Sequence, residues 1–438
     1  MLNGPILPTL LRLATPSVVA MAMQVVVGIA ETIYIGRAGT TPLAAMALVF
    51  PFLMLAQQLS AGAMGGGVSS AVSRALGAGD LPRANALARH ALAIGTLLGI
   101  AFTVAMLILG PTFYRWLGGQ GAVLDAAIGY STVLFFAALF IWLANTMASI
   151  IRGSGNMRIP SIGLLGGALL QILLGGVLAL GAGPVPALGM LGVAIANIVA
   201  SAACVVYFAL YLFSAQSRLT IELRGAPLQR EMFFDILRVG AVSMISPFQS
   251  VLSVLLLTGF VARLGAMPLA GYAIGQRLEF LLVPISFGIG VAALPMVGMA
   301  IGAGKADRAR RVAWTAGATS ALNLALIGIA VALVPDLWAG LFTTDEAVLV
   351  FARQYLQIVG LAFPLFGLGL TLYFSSQGSG KMLGPVLAGT ARLVVVAGVG
   401  TWLLSLPGTA GQFFALIAGS MVVYGLGTAA AVKFTRWG

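Results

Sequence analysis

Gly77-Ala78-Gly79-Asp80, followed by Arg83-Ala84, recurs as Gly302-Ala303-Gly304-Lys305, followed by Arg308-Ala309. The same offset of about 225 residues carries Arg152-Gly153-Ser154-Gly155-Asn156-Met157 onto Gln377-Gly378-Ser379-Gly380-Lys381-Met382, and Tyr130 onto Tyr355. One register shared by several separate loops means a chain built from two similar halves. Inside a membrane, two such halves imply a cleft between them. Rocking one half against the other would expose that cleft to alternate sides. The repeat therefore predicts transport before any chemical motif is read.

The composition places the repeat in lipid. Sixty per cent of the residues are hydrophobic and 8% are charged, too few charges to cover a water-soluble domain of 438 residues. Long apolar runs separated by short polar connections predict helical spans over 13–35, 48–73, 88–110, 123–150, 161–182, 188–213, 236–262, 272–298, 312–334, 348–375, 383–404 and 413–432. The runs are continuous rather than alternating, which favours helices over a membrane barrel. The expected fold is an all-α polytopic membrane protein: about twelve transmembrane helices in two six-helix lobes, with a pseudo-two-fold axis along the membrane normal. An even number of helices per half is what makes the repeats parallel. The polar interval 214–235 separates an amino-terminal lobe, 1–213, from a carboxy-terminal lobe, 236–438. It reads as a cytoplasmic linker, part of it suited to a surface helix.

Charge placement sets the orientation. One set of connections carries Arg37, Arg115, Arg263 and Arg353. The other carries Arg74, Arg83, Arg89, Arg152, Arg158, Arg218, Arg224, Arg230, Arg238, Lys305, Arg308, Arg310, Arg311 and Lys381, joined by Arg12, Lys433 and Arg436 at the chain ends. Seventeen cations against four place the second set, and both termini, in the cytoplasm of a bacterium, with the helices in its inner membrane. The net charge of +12 is thus topological, and no nucleic-acid partner is expected. His90, the one histidine, falls at a helix start and reads as a solvated surface residue. The one cysteine, Cys204, excludes an internal disulfide and a cysteine metal site. Met1 to Pro8 lacks a basic start, and no cleavable signal peptide is expected.

Of eleven acids, nine fall in loops or at helix ends, and two, Glu31 and Glu279, fall well inside the predicted spans. A charged side chain near the bilayer centre costs about 2.5–3.5 kcal/mol on insertion scales. Desolvation penalises the carboxylate and spares the acid, so Glu31 is the leading candidate for ion coupling; the alternative is a structural carboxylate bonded to a neighbouring helix. Glu279 lies two residues after Arg277, the wrong spacing for an ion pair on one helical face, and Arg392 is a possible partner. A structural charge network and a substrate-binding role both remain open for it. Neutral polar residues collect in the first half: Gln24, Tyr34, Gln57, Gln58, Tyr130, Asn145, Gln171 and Asn197; Gln249 lies in the seventh span. Each can serve as interhelical glue. From these, the candidate coupling residues are Glu31, Tyr34, Asn145, Gln171 and Asn197. The candidate substrate-binding residues are Gln24, Gln57, Tyr130, Gln249, Arg277 and Glu279.

Several segments together resemble the multidrug and toxic compound extrusion (MATE) transporters over nearly the whole chain. They are Glu31-Thr32-Ile33-Tyr34-Ile35-Gly36-Arg37-Ala38-Gly39, Ser73-Arg74-Ala75-Leu76-Gly77-Ala78-Gly79-Asp80, Arg152-Gly153-Ser154-Gly155-Asn156 and Gly189-Met190-Leu191-Gly192-Val193-Ala194-Ile195-Ala196-Asn197. Arg277-Leu278-Glu279 with the later glycine-rich loop looks like the DinF-like branch. The resemblance implies two lobes in a V and export of drugs or metabolites against inward protons or sodium. It also implies departures. The family's helix-one aspartate is Glu31 here. Its helix-five asparagine and aspartate fall on Gln171 and Gly175, and its helix-six threonine falls on Asn197. The helix-seven acid of another branch reads as Gln249, and its helix-ten acid falls near Phe366. Lost oxygens weaken a sodium shell, whereas a lone carboxylate still carries one proton. The expectation is therefore proton-driven efflux of a small organic compound, cationic or amphiphilic, by a monomer in the lipid bilayer. No cofactor is expected beyond the proton gradient, or sodium in the alternative. A flippase for a lipid-linked amphiphile would want several cleft cations, and only Arg277 and Arg392 are offered. A membrane enzyme would need a catalytic cluster that the sequence lacks, so no enzymatic activity is expected.

Overall fold

A computed structural model describes residues 2–182, 184, 186–221, 227–406 and 408–437 of the chain. Arg224, one of the loop cations counted above, lies outside the described residues. Among those residues the protein is all helix, with no strand. The helices are α1 (Ile6–Arg37), α2 (Thr40–Gln57), α3 (Gly65–Gly77), α4 (Leu81–Trp116), α5 (Gly121–Phe136), α6 (Ala138–Gly153), α7 (Arg158–Leu180), α8 (Met190–Leu212) and α9 (Arg230–Ser243). They continue with α10 (Ile245–Ala262), α11 (Ala266–Gly302), α12 (Ala306–Leu333), α13 (Asp336–Ala339), α14 (Glu346–Val359), α15 (Phe363–Ser379), α16 (Leu383–Leu404) and α17 (Ala410–Phe434). Eleven helices or continuous helix runs are long and apolar enough to cross a membrane. The pair α5 and α6, bent by 41° at Ala137, makes a twelfth. The protein is thus a multi-pass membrane protein.

The repeated sequence folds into repeated local geometry. Gly79 and Gly304 both take a left-handed backbone, with φ of 78° and 71°, and so do Gly155 and Gly380, with φ of 94° and 78°. A side chain is strained in that region, so the same residue ends the helix in both halves. Asp80 then opens α4 by accepting a bond from the Arg83 amide at 2.9 Å, with Pro82 in the first turn. The bend at Ala137 has its counterpart in the second half, where a 3-10 turn, Gly360–Ala362, separates α14 from α15. A π-helical turn, Gln58–Met64, joins α2 to α3 and is an irregularity that hydrophobic spacing does not reveal.

The chain folds into two compact units: Val19–Ala241, and Met1–Val18 with Val242–Gly438. Their boundaries do not fall in the linker. They fall inside the first helix run of each half, at equivalent positions of the repeat. The physical reason is where each helix start finds its core. Leu10 and Ala14 of α1 are buried with Ile289, Ala293, Met296 and Val297 of α11 in the carboxy-terminal unit. There Arg308 donates to the Gly4 carbonyl at 2.6 Å, and Lys305 to Asn3 at 2.9 Å. Ile236 and Val239 of α9 are fully buried, and α9 belongs to the amino-terminal unit.

In that unit Asp235 binds Arg74 at 3.2 Å and Arg83 at 3.0 Å, and Glu231 binds Arg83 at 3.2 Å. The surface reading of His90 is corrected: the ring is fully buried, edge-on to Phe233. One ring nitrogen lies 2.7 Å from the Ala86 carbonyl, and the other accepts from the Gln229 amide at 2.7 Å. His90 is on α4 and Gln229 immediately precedes α9, so the histidine fixes the start of that helix.

Gly67 of α3 marks the closest approach to α9: a Cβ there would lie 2.7 Å from the Gly240 nitrogen and 2.9 Å from the Ile236 carbonyl oxygen. Both obstacles are backbone and cannot turn aside. Gly67→Leu is expected to force α9 off α3 and to lower the melting temperature of the detergent-solubilised protein by several degrees; size-exclusion after a heating series measures it.

Candidate functional site

Each unit holds one glutamate within its helices, and the two are bound differently. In the amino-terminal unit Glu31 lies about 9 Å before the end of α1 at 1.5 Å per residue, and it is 5% exposed. Gln171 of α7 donates from Nε2 to Glu31 Oε1 at 2.6 Å. Among the described residues Glu31 makes no ion pair. A glutamine suits both states of its neighbour: its amino group donates to a carboxylate, and its carbonyl accepts from a protonated acid. One turn on, Tyr34 donates to the Ile172 carbonyl at 3.2 Å, fastening α1 to α7 at the residue after Gln171. Tyr130 of α5 is 3% exposed and lies near Glu31 without a hydrogen bond to it among the described residues.

A second polar group lies at the π-turn. Asn145 of α6 donates to Gln57 at 3.0 Å and to the Ser60 hydroxyl at 2.8 Å, while Ser60 donates back to the Ala56 carbonyl at 2.7 Å. Asn197 of α8 is 6% exposed, and its carbonyl oxygen is buried with no hydrogen-bond partner. Such an orphan costs about 1–3 kcal/mol in a protein interior. Gln24 is exposed and makes no hydrogen bond among the described residues. The structure therefore joins Glu31 to Gln171 and Tyr130, and Asn145 to Gln57. It leaves Gln24 outside both groups.

In the carboxy-terminal unit Glu279 of α11 accepts a hydrogen bond from the Tyr355 hydroxyl of α14. Tyr355 is fully buried, edge-on to Tyr272 at 5.7 Å and to Phe414 at 5.2 Å. Gln276 donates to the Tyr272 hydroxyl at 2.9 Å, and Thr258 lies 3.3 Å from it. Arg392 interacts with Glu279 through its charge but forms no ion pair with it. Arg277 points elsewhere: it is exposed and stacks on Phe342 at 5.2 Å. Gln249 of α10 is 8% exposed and donates to Thr390 of α16 at 2.8 Å, so in this structure it ties two helices together.

Tyr130 and Tyr355 are related by the repeat, and each stands beside its unit's glutamate. The carboxylates come from non-equivalent helices, α1 and α11. Tyr355 was visible in the sequence as a repeated residue, which was the one signal for its role. Ser60, Tyr272, Gln276 and Thr258 carried none, because a serine, threonine or tyrosine in an apolar helix is ordinary packing until its partner is known.

Residues 16–177 and 243–403, most of the chain and both halves of the repeat, match the MatE family model. The chain belongs to the MatE family. Its function as a MatE protein is transport, not enzymatic catalysis. MatE relatives include the multidrug export protein MepA of Staphylococcus aureus strain N315, 24% identical over 399 residues, covering 90% of this chain and 87% of that one. An FAD transporter of Shewanella oneidensis is 22% identical over 410 residues, with the same coverage. Among solved structures, a MOP superfamily transporter from Pyrococcus furiosus superposes with a TM-score of 0.89 at 25% identity, covering 99% of this chain and 98% of that one. A MATE in complex with MaD3S superposes equally well, at 25% identity and the same coverage.

Tyr355→Phe deletes the one hydroxyl bonded to Glu279 and keeps both ring contacts. It is expected to lower stability by about 1–3 kcal/mol while the protein stays folded, which urea unfolding in micelles measures.

Proposed function

We propose that this MatE protein is a multidrug efflux antiporter that exports organic compounds, cationic or amphiphilic, in exchange for protons. The observation that carries the proton is the isolation of Glu31. It is one buried carboxylate with a neutral amide for its partner and no fixed cation to hold it ionised. Losing its charge relieves desolvation without stranding a counter-charge. Gln171 turns its nitrogen, not its oxygen, toward Glu31. That is a proton-exchanging arrangement more than a sodium shell, which would want oxygens converging on the carboxylate.

Protons then bind from the outside when the substrate leaves, and depart to the cytoplasm when substrate enters. Linkage is reciprocal: if protonation lowers substrate affinity by some factor, substrate lowers proton affinity by the same factor. One proton entering through about 100 mV provides roughly 2.3 kcal/mol, enough for about a fifty-fold gradient of a neutral substrate. Exchange of one proton for one monovalent cation moves no net charge, and only the pH difference then drives it. The surplus of loop cations on one side supports a cytoplasmic location for both termini in a bacterial inner membrane. A monomer suffices for this cycle, because each unit carries its own polar group.

In proteoliposomes with an imposed gradient, wild-type protein is expected to export a fluorescent cation when the pH difference is applied and not when sodium alone is. Its affinity for the dye should fall as the pH falls. Glu31→Gln, fixed in the neutral form, should bind weakly at every pH and lose pH-driven export while staying monodisperse. Export by this variant at the wild-type rate would remove Glu31 from the coupling.

A further inference from the structure

Among the described residues Arg392 has no carboxylate at ion-pair distance. It lies about 14 Å into a helix about 33 Å long, near mid-depth of a hydrocarbon core about 30 Å thick. A charge held there costs about 2.5–3.5 kcal/mol on insertion scales, and such residues are ordinarily paired. Among the described residues Arg392 makes no ion pair and no hydrogen bond, and its Nε is shut off from solvent with no acceptor. The nearest carboxylate, Glu279, is bonded to Tyr355 instead. What Arg392 does have is two aromatic faces: its guanidinium carbon lies 5.7 Å from the Phe366 ring centroid and 5.9 Å from that of Tyr424. Phe366 is on α15 and Tyr424 on α17, so three helices of one unit converge on the group. The two rings lie beside the guanidinium and offer it no acceptor, so its N–H groups are left for a carboxylate or phosphate, which an arginine can receive through two parallel bonds.

We propose that Arg392, walled by Phe366 and Tyr424, is a binding subsite for the acid group of an amphiphilic substrate, so that the exported compounds include organic acids and zwitterions with an aromatic or otherwise apolar body. The subsite deepens the export reading, on which it rests for its role in transport. Its geometry belongs wholly to the carboxy-terminal unit and is independent of Glu31. The aromatic walls accept the apolar body, and the arginine supplies the one fixed positive charge. An amphiphile lacking an acid group gains nothing from Arg392.

The test uses two dyes that share a fluorophore: rhodamine 110, a free carboxylic acid, and rhodamine 123, its methyl ester. Binding to the purified full-length protein in micelles is read by fluorescence polarisation. Wild-type protein is expected to bind the acid at least tenfold more tightly than the ester. Arg392→Gln should abolish that preference, leave ester binding within twofold, and keep pH-driven export of the ester in proteoliposomes. Arg392→Lys, which keeps the charge but loses the fork, should restore part of the preference. A wild-type protein that binds the acid no better than the ester, or binds neither, overturns the subsite; so does an Arg392→Gln variant that is monodisperse and still prefers the acid. Competition by phosphatidylglycerol against competition by a soluble benzoate distinguishes a lipid headgroup from a dissolved acid as the source of the anion, and either one displacing rhodamine 110 upholds the site. Wild-type protein that prefers the acid but shows no pH-driven transport would count against proton coupling and leave the subsite standing.

Discussion

A carboxylate among apolar helices persists only if something donates to it, and in this protein each of the two has a single neutral donor. Gln171 holds Glu31 and Tyr355 holds Glu279. Neither is neutralised by an adjacent cation, so neither charge state is locked by a counter-ion whose own desolvation would then have to be met. That leaves both groups responsive to their surroundings.

The cations are treated differently according to depth. Near the helix ends, Arg74 and Arg83 share Asp235, and Arg83 also reaches Glu231, fastening the start of α9 within the amino-terminal unit. Arg308, the repeat equivalent of Arg83, uses a backbone carbonyl at Gly4 to fasten the start of α1 within the carboxy-terminal unit. One repeated arginine thus performs the same task with two kinds of acceptor. The bonds that secure these helix starts are polar and lie beside buried apolar residues, Leu10 and Ala14 in one unit and Ile236 and Val239 in the other. Arg392, within α16, has two aromatic rings beside it and, among the described residues, no ion pair.

The division of the chain shows how far linear reading reaches. The interval 214–235 separates the halves in sequence, and it is polar, so it reads as a boundary. The compact units instead change over near residues 18 and 241, because Leu10 and Ala14, and likewise Ile236 and Val239, bury themselves beyond that line. His90 was misread for a related reason: a histidine at a helix start resembles a surface residue until Phe233 and the Gln229 amide close over it. The π-turn at 58–64 left no trace in spacing, since every residue there is compatible with an α-helix.

The sequence by itself determined that the chain crosses the membrane as helices, that it does so twice over in one register, and that Glu31, Glu279 and Arg392 are the charges lipid would least tolerate. Those conclusions follow from hydrophobicity and spacing, both of them local. Only the tertiary structure decided which neutral group meets each carboxylate, that Arg277 turns to Phe342 and away from Glu279, and that the Asn197 oxygen is buried without a partner while the Asn145 amino group bonds Gln57 and Ser60. Such pairings join helices as many as 140 residues apart. They depend on how helix faces turn toward one another in packing, and a polar side chain in an apolar run does not say which way it faces.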